Sequence, residues 1–186
     1  MNRPYVIILN GKPCTGKSHY LKKLSQDLGL SYITRDEFKE LLFDDLGIAD
    51  QEWSKKLGGA SYSLLFNMLE KLLMTQKSFI LESNFNPTQH QQKLKLLFER
   101  HGYQSVEVFL ETEPSILFER HKYRWESGER HRGHVDNERF DEFEKKLKED
   151  VLLPLGIGDK IIKIDTTDFN NVDYDSLKQE LLSLLD

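Results

Sequence analysis

Tyr5-Val6-Ile7-Ile8-Leu9-Asn10-Gly11-Lys12-Pro13-Cys14-Thr15-Gly16-Lys17-Ser18 carries two signals in succession. The run from Tyr5 to Leu9 is continuously apolar and rich in β-branched residues, which predicts a strand buried on both faces and stopped by Asn10-Gly11. From Gly11 the chain satisfies the pattern G-x-x-x-x-G-K-S/T. The hydrophobic period then changes: Tyr20, Leu21, Leu24 and Leu28 recur at helical spacing, and Gly29 follows as a stop. A strand before the pattern and a helix after it form the context that makes it a phosphate-binding loop.

The chemistry of the loop follows from its residue types. Glycines at 11 and 16 let the backbone turn so that successive N–H groups across Lys12, Pro13, Cys14 and Thr15 face phosphate oxygens, Pro13 itself having none to offer. Lys17 neutralises charge on the β and γ phosphates, Ser18 offers a hydroxyl to Mg²⁺, and the helix N-terminus adds partial positive charge. The expected cofactors are ATP and Mg²⁺. Cys14 occupies a variable loop position with no general base assigned to it, so it reads as a filler residue whose oxidation would impair binding.

Outward from this loop, strands and helices alternate. Residues 31–34, 78–82, 105–111 and 160–165 read as strands. Helices are expected from Asp36 to Leu46, over 51–76 with a break at Gly58-Gly59, and over 86–101, 113–126, 137–153 and 174–185. Residues 127–134 combine Gly and charge and read as a loop. The alternation predicts an α/β fold of the three-layer P-loop NTPase type: five strands, mainly parallel, with helices on both faces and an Arg-rich lid over about residues 120–136. With 186 residues, one domain over 1–186 is expected.

Composition narrows the function classes. Hydrophobic residues make up 38% and charged residues 31%, as in ordinary globular proteins. No apolar run approaches the roughly 20 residues of a membrane span, and the first residues lack a signal-peptide core. The single cysteine fits a reducing cytoplasm, the expected location. A net charge of -5 argues against long duplex nucleic acid as a partner.

A switch GTPase is disfavoured, because the chain has no N-K-x-D and Asp44-Asp45-Leu46-Gly47 falls at the end of a predicted helix. A kinase instead needs a carboxylate near the end of a neighbouring strand, to take the acceptor proton. Asp36, just past the second strand, fits that need, with a plain helix N-cap as the alternative. Glu82 ends the third strand and is placed to hold Mg²⁺ through water or to contact the acceptor. Arg120, Arg124, Arg130 and Arg132 supply mobile positive charge for a closing lid, with Arg124 the expected catalytic cation. His131-x-x-His134 lacks further ligands near it in sequence and is not expected to bind metal.

With these residues in hand, positions 5–135 resemble the 5′-hydroxyl kinase domain of bacteriophage polynucleotide kinase and small bacterial relatives. Tyr32-Ile33-Thr34-Arg35-Asp36-Glu37-Phe38-Lys39 is similar to the family's N-x-x-R-D-D-Y-R, whose first Asp is the general base. The resemblance implies that role for Asp36, with Arg35 and Lys39 at the acceptor. Lys39 replaces an arginine that binds the acceptor phosphate. Glu82-Ser83-Asn84-Phe85-Asn86-Pro87 is similar to D-T-N-L-N-P, which implies that Glu82 and Asn84 line the acceptor site. Arg120 matches a helix arginine that packs on the nucleotide. The same fold serves chloramphenicol phosphotransferase and the zeta-toxin sugar-nucleotide kinases, so the shared loop and Asp do not fix the acceptor.

The expected activity is transfer of the γ-phosphate of Mg-ATP to a hydroxyl of a nucleoside, nucleotide or oligonucleotide 5′ end. An antibiotic or sugar kinase is the first alternative. An ATP-binding regulator with slow hydrolysis is the second.

Overall fold

A computed structural model describes residues 3–185, with all of their side chains except those of Glu138, Arg139 and Lys148. Met1, Asn2 and Asp186 of the expected 1–186 domain lie outside the described residues. In chain order the elements are β1 (Tyr5–Gly11), α1 (Lys17–Leu28), β2 (Tyr32–Thr34), α2 (Arg35–Leu46), α3 (Gln51–Leu73), β3 (Phe79–Glu82), α4 (Pro87–His101), β4 (Gln104–Glu111), α5 (Pro114–Glu126), α6 (Phe140–Glu149), β5 (Lys160–Asp165) and α7 (Tyr174–Leu185). Short 3₁₀ turns occupy Arg132–His134, Asp136–Arg139 and Phe169–Asn171. The chain divides into two compact units. One comprises Met1–Ile33, Leu69–Thr112 and Leu152–Asp186, the other Thr34–Met68 and Glu113–Val151.

The first unit is built on a five-stranded, all-parallel sheet flanked by helices, in the order β2-β3-β1-β4-β5. Every residue of β1 is buried, as a central strand covered on both faces requires. Tyr5, Ile7 and Leu9 point to one face and pack in a single cluster with Tyr20, Leu21 and Leu24 of α1 and Leu177 and Leu181 of α7. Each such apolar side chain contributes about 1.5–3 kcal/mol by leaving water. Parallel pairing aligns Leu9 with Glu82 of β3 and with Val108 of β4, so the carboxyl ends of the central strands share one edge of the sheet. In open parallel sheets that edge holds ligands.

The second unit holds α2, α5, α6 and most of α3, with Phe43, Leu57, Leu65, Leu117, Val135 and Leu147 buried. No helix among the described residues is long and apolar enough to cross a membrane.

Four local expectations are corrected. β1 continues through Asn10 and Gly11, because a fully hydrogen-bonded Asn10 amide is tolerated in the interior. α3 runs unbroken through Gly58-Gly59, where Lys39 of α2 lies against Gly58. α6 ends at Glu149, short of 153, where Pro154 disfavours helix in the residue before it. The expected loop at 127–134 includes a 3₁₀ turn, Arg132–His134.

Candidate functional site

In the first unit, β1 delivers the chain into the loop at Gly11, whose φ of 148° no side chain adopts comfortably. A Cβ there would sit 2.5 Å from the carbonyl oxygen of Leu110, a backbone atom that cannot step aside. Cys14 takes a left-handed φ of 68°, so the loop also spends conformational energy at a residue other than glycine. Gly16 then opens α1 from a left-handed conformation without a side-chain cap. An uncapped helix N-terminus suits an anion.

Lys17 is buried, and its Nζ donates to the carbonyls of Gly11 (3.0 Å) and Lys12 (2.8 Å) and lies 4.0 Å from Glu82 Oε1. The structure thus brings together the expected loop cation and the expected β3 acid, while Ser18 stands exposed at the start of α1. The hydroxyl of Ser18 and the carboxylate of Glu82 are hard oxygen donors, the ligand type that Mg²⁺ prefers. Asn84 follows in the loop after β3.

The segment after β5 packs on this loop, a feature the sequence reading missed. Thr166 is fully buried and its hydroxyl donates to the carbonyl of Thr15 (2.8 Å). The ring of Phe169 covers Gly16, where a Cβ would meet Phe169 Cε1 at 2.6 Å. Phe169 is 41% exposed and lies beside His19 and Tyr20.

In the second unit, Asp36 sits in the first turn of α2 and does not cap it. Thr34 occupies the N-cap position, with no side-chain cap hydrogen bond, and the Asp36 carboxylate turns to arginines, which removes the N-cap reading. Arg35 Nε donates to Asp36 Oδ1 (3.2 Å), and Arg130 Nη1 donates to Asp36 Oδ2 (3.3 Å). Arg130 is held in turn by Asp136, through an Nε to Oδ2 bond of 2.9 Å. Burial alone would raise the Asp36 carboxyl, but Arg35 and Arg130 outweigh it and hold it well below the usual carboxylate range. It is therefore ionised, and about a third of its side chain remains accessible.

Lys39 is 9% exposed and its Nζ donates to Ser54 Oγ (3.0 Å). Burial and the cations Arg35 and Arg130 pull its ammonium down to about 8. Arg35 lies 5.0 Å from the ring centre of Tyr62. Arg35, Lys39 and Arg130 are thus gathered around the carboxylate of Asp36. Arg132 is not among them: its guanidinium lies over Trp125 at 4.4 Å. Arg120 and Arg124 lie one turn apart on α5, both half-buried.

His131 and His134 pair with separate acids, Asp44 (3.1 Å) and Glu40 (3.2 Å), and flank the buried Phe43 ring. Gly133 lies directly on that ring, where a Cβ would fall 2.3 Å from Phe43 Cγ. Gly133→Ala is therefore expected to destabilise the protein by about 1–3 kcal/mol through overpacking. A thermal melt checks this, and an unchanged midpoint would refute the packing described.

The model of the AAA domain family matches residues 6–149. The chain belongs to that family. A solved structure from Chloroflexus aurantiacus j-10-fl, named a "putative kinase", is 28% identical, with a TM-score of 0.92 and all of both chains covered. A gluconokinase from Sinorhizobium meliloti 1021 aligns at 16% identity and a TM-score of 0.56, covering 100% of this chain and 93% of its own. A shikimate kinase from Bacteroides thetaiotaomicron aligns at 18% and 0.52, covering 97% and 98%. The last two share the fold with this chain, which is the P-loop kinase-like one. No curated protein sequence matches the chain.

Proposed function

We propose that this AAA-domain protein is an ATP-dependent phosphotransferase that moves the γ-phosphate of Mg-ATP to a hydroxyl. The observation that carries the reading is the pairing of two chemistries on one chain: a phosphate-binding loop with a buried Lys17 beside Glu82, and an ionised, accessible Asp36. Lys17 would leave its carbonyl partners for the β and γ phosphates, and Ser18 and Glu82 would hold Mg²⁺, whose chemistry is to neutralise charge on those oxygens. Asp36 would accept the acceptor's proton. Because phosphoryl transfer passes through a loose transition state, a strongly acidic carboxylate suffices to orient the hydroxyl and take its proton late. Arg124, Arg130, Arg132 and Arg120 belong, on this reading, to the lid and the nucleotide contact, and Arg35, Lys39 and Asn84 to the acceptor.

The resemblance of residues 32–39 and 82–87 to polynucleotide kinase favours a nucleoside, nucleotide or oligonucleotide 5′ end as acceptor. A second reading, a small-molecule kinase, is favoured by the net charge of -5 and by the pairing of Arg130 with two carboxylates, Asp36 and Asp136, which compete with a polyanion for it. Transfer of labelled γ-phosphate to 5′-hydroxyl oligonucleotides, nucleosides, aminoglycosides and sugar nucleotides separates them. Labelled oligonucleotide or nucleoside supports the first. Labelling of only an aminoglycoside or sugar nucleotide replaces it with the second.

A further inference from the structure

Asn10 lies in the last turn of pleat before the phosphate loop, in a strand where every neighbour is buried, and is itself fully buried. A buried amide there is costly unless its hydrogen-bonding capacity is met. All of that capacity is met, by groups from three places in the chain. Its Oδ1 accepts from the N–H of Gly11 and from the N–H of Phe85, both at 2.9 Å. Its Nδ2 donates to the carbonyl of Phe85 at 3.3 Å and to Glu107 Oε1 at 2.9 Å. Gly11 begins the phosphate loop, and Phe85 belongs to the loop after β3 that carries Asn84.

Glu107 fixes which way the amide faces. It is completely buried in β4 and accepts from the N–H of Leu155 (2.9 Å) and of Gly156 (3.2 Å) as well as from Asn10. Because the carboxylate can only accept, it compels Asn10 to turn its NH₂ toward β4 and its oxygen toward Gly11 and Phe85. The reverse orientation would set the NH₂ against two N–H donors. Register places both side chains on one face: Glu107 is the β4 partner of Ile8, two residues before Asn10.

We infer that Asn10 is a positioning residue that couples the two ligand loops, so that occupation of the Gly11–Ser18 loop is transmitted through one amide to the Ser83–Asn86 loop, with Glu107 setting its orientation. The inference rests on the reading of the Gly11–Ser18 loop as a nucleotide site. A filler role in the strand would need no polar group, and Val or Ile would serve it better.

The test is hydrogen exchange of the amides of residues 83–86 with and without Mg-ADP, in wild type and in Asn10→Ala, with Mg-ADP binding measured separately by calorimetry. In wild type, Mg-ADP is expected to slow exchange at Phe85 by about tenfold. In Asn10→Ala, Mg-ADP is expected still to bind, weakened by about tenfold, with less than about a twofold response at Phe85. Glu107→Gln keeps an oxygen toward Asn10 and Leu155 at the cost of setting its NH₂ against the N–H of Gly156, so it is expected to lower stability and, in folded protein, to retain the response. If Asn10→Ala does not fold, Asn10→Ser takes its place with the same expectation. A full response in the Asn10 variant, or none in wild type that binds Mg-ADP, overturns the coupling. Absence of Mg-ADP binding in wild type would instead overturn the nucleotide reading.

Discussion

Lys17→Ala is expected to reduce ATP turnover by on the order of a hundred- to a thousandfold, the scale of losing one preorganised charge at the transferring group. The effect is large because Lys17 is a buried cation of the loop itself: it reaches the carbonyls that line the loop and lies 4.0 Å from Glu82. Removing it leaves Glu82 as a buried acid without that partner, so a modest loss of stability accompanies the loss of activity. Turnover is to be compared with the melting midpoint in the same variant. Normal turnover in a folded Lys17→Ala protein would remove the loop from the mechanism.

Asp36→Asn is expected to leave Mg-ATP binding near that of wild type while phosphoryl transfer falls by on the order of a hundredfold or more. The amide keeps an oxygen for Arg35 or Arg130 but cannot take a proton. Stability should drop by only about 1 kcal/mol, since the pair is partly solvated and Arg130 keeps Asp136. The pH dependence follows from the sign of the shift. With its pKa lowered, Asp36 stays ionised through the range where an ordinary carboxylate protonates. Its pairing therefore stabilises the fold above the unfolded value and is lost only as pH falls toward the lowered one. The pH profile of transfer should show no acid limb near 4 from this group. A variant that loses stability but not transfer would make Asp36 purely structural.

The fold was legible because its signals are local. Tyr5 to Leu9 announces a strand covered on both faces, and the change of period at Lys17 announces the helix. Lys17 with Glu82, and Asp36 with Arg130, were legible as residue types at suitable positions. The contacts that organise them were not, because they join distant residues. Arg130 lies 94 residues from Asp36, and the N–H of Leu155 lies 48 from Glu107. Asn10 looked like a strand stop, since its partners at Phe85 and Glu107 are invisible in one dimension. One signal was available: Glu107 interrupts the apolar run Val106 to Leu110, and an acid in a buried strand must be hydrogen-bonded. For Asp36 a plain cap stood as the alternative to the catalytic reading because an acid at a helix start commonly is one, and the arginines that claim its carboxylate are set by tertiary packing.

The most direct measurement of the central claim is the rate of ADP release from Mg-ATP by the wild-type protein, alone and with each acceptor of the panel. A hydroxyl acceptor that raises ADP release and carries the labelled phosphate is the predicted result. ADP release that is the same with every acceptor and without any, in protein that binds Mg-ATP, would contradict the kinase reading and leave a slow nucleotide hydrolase.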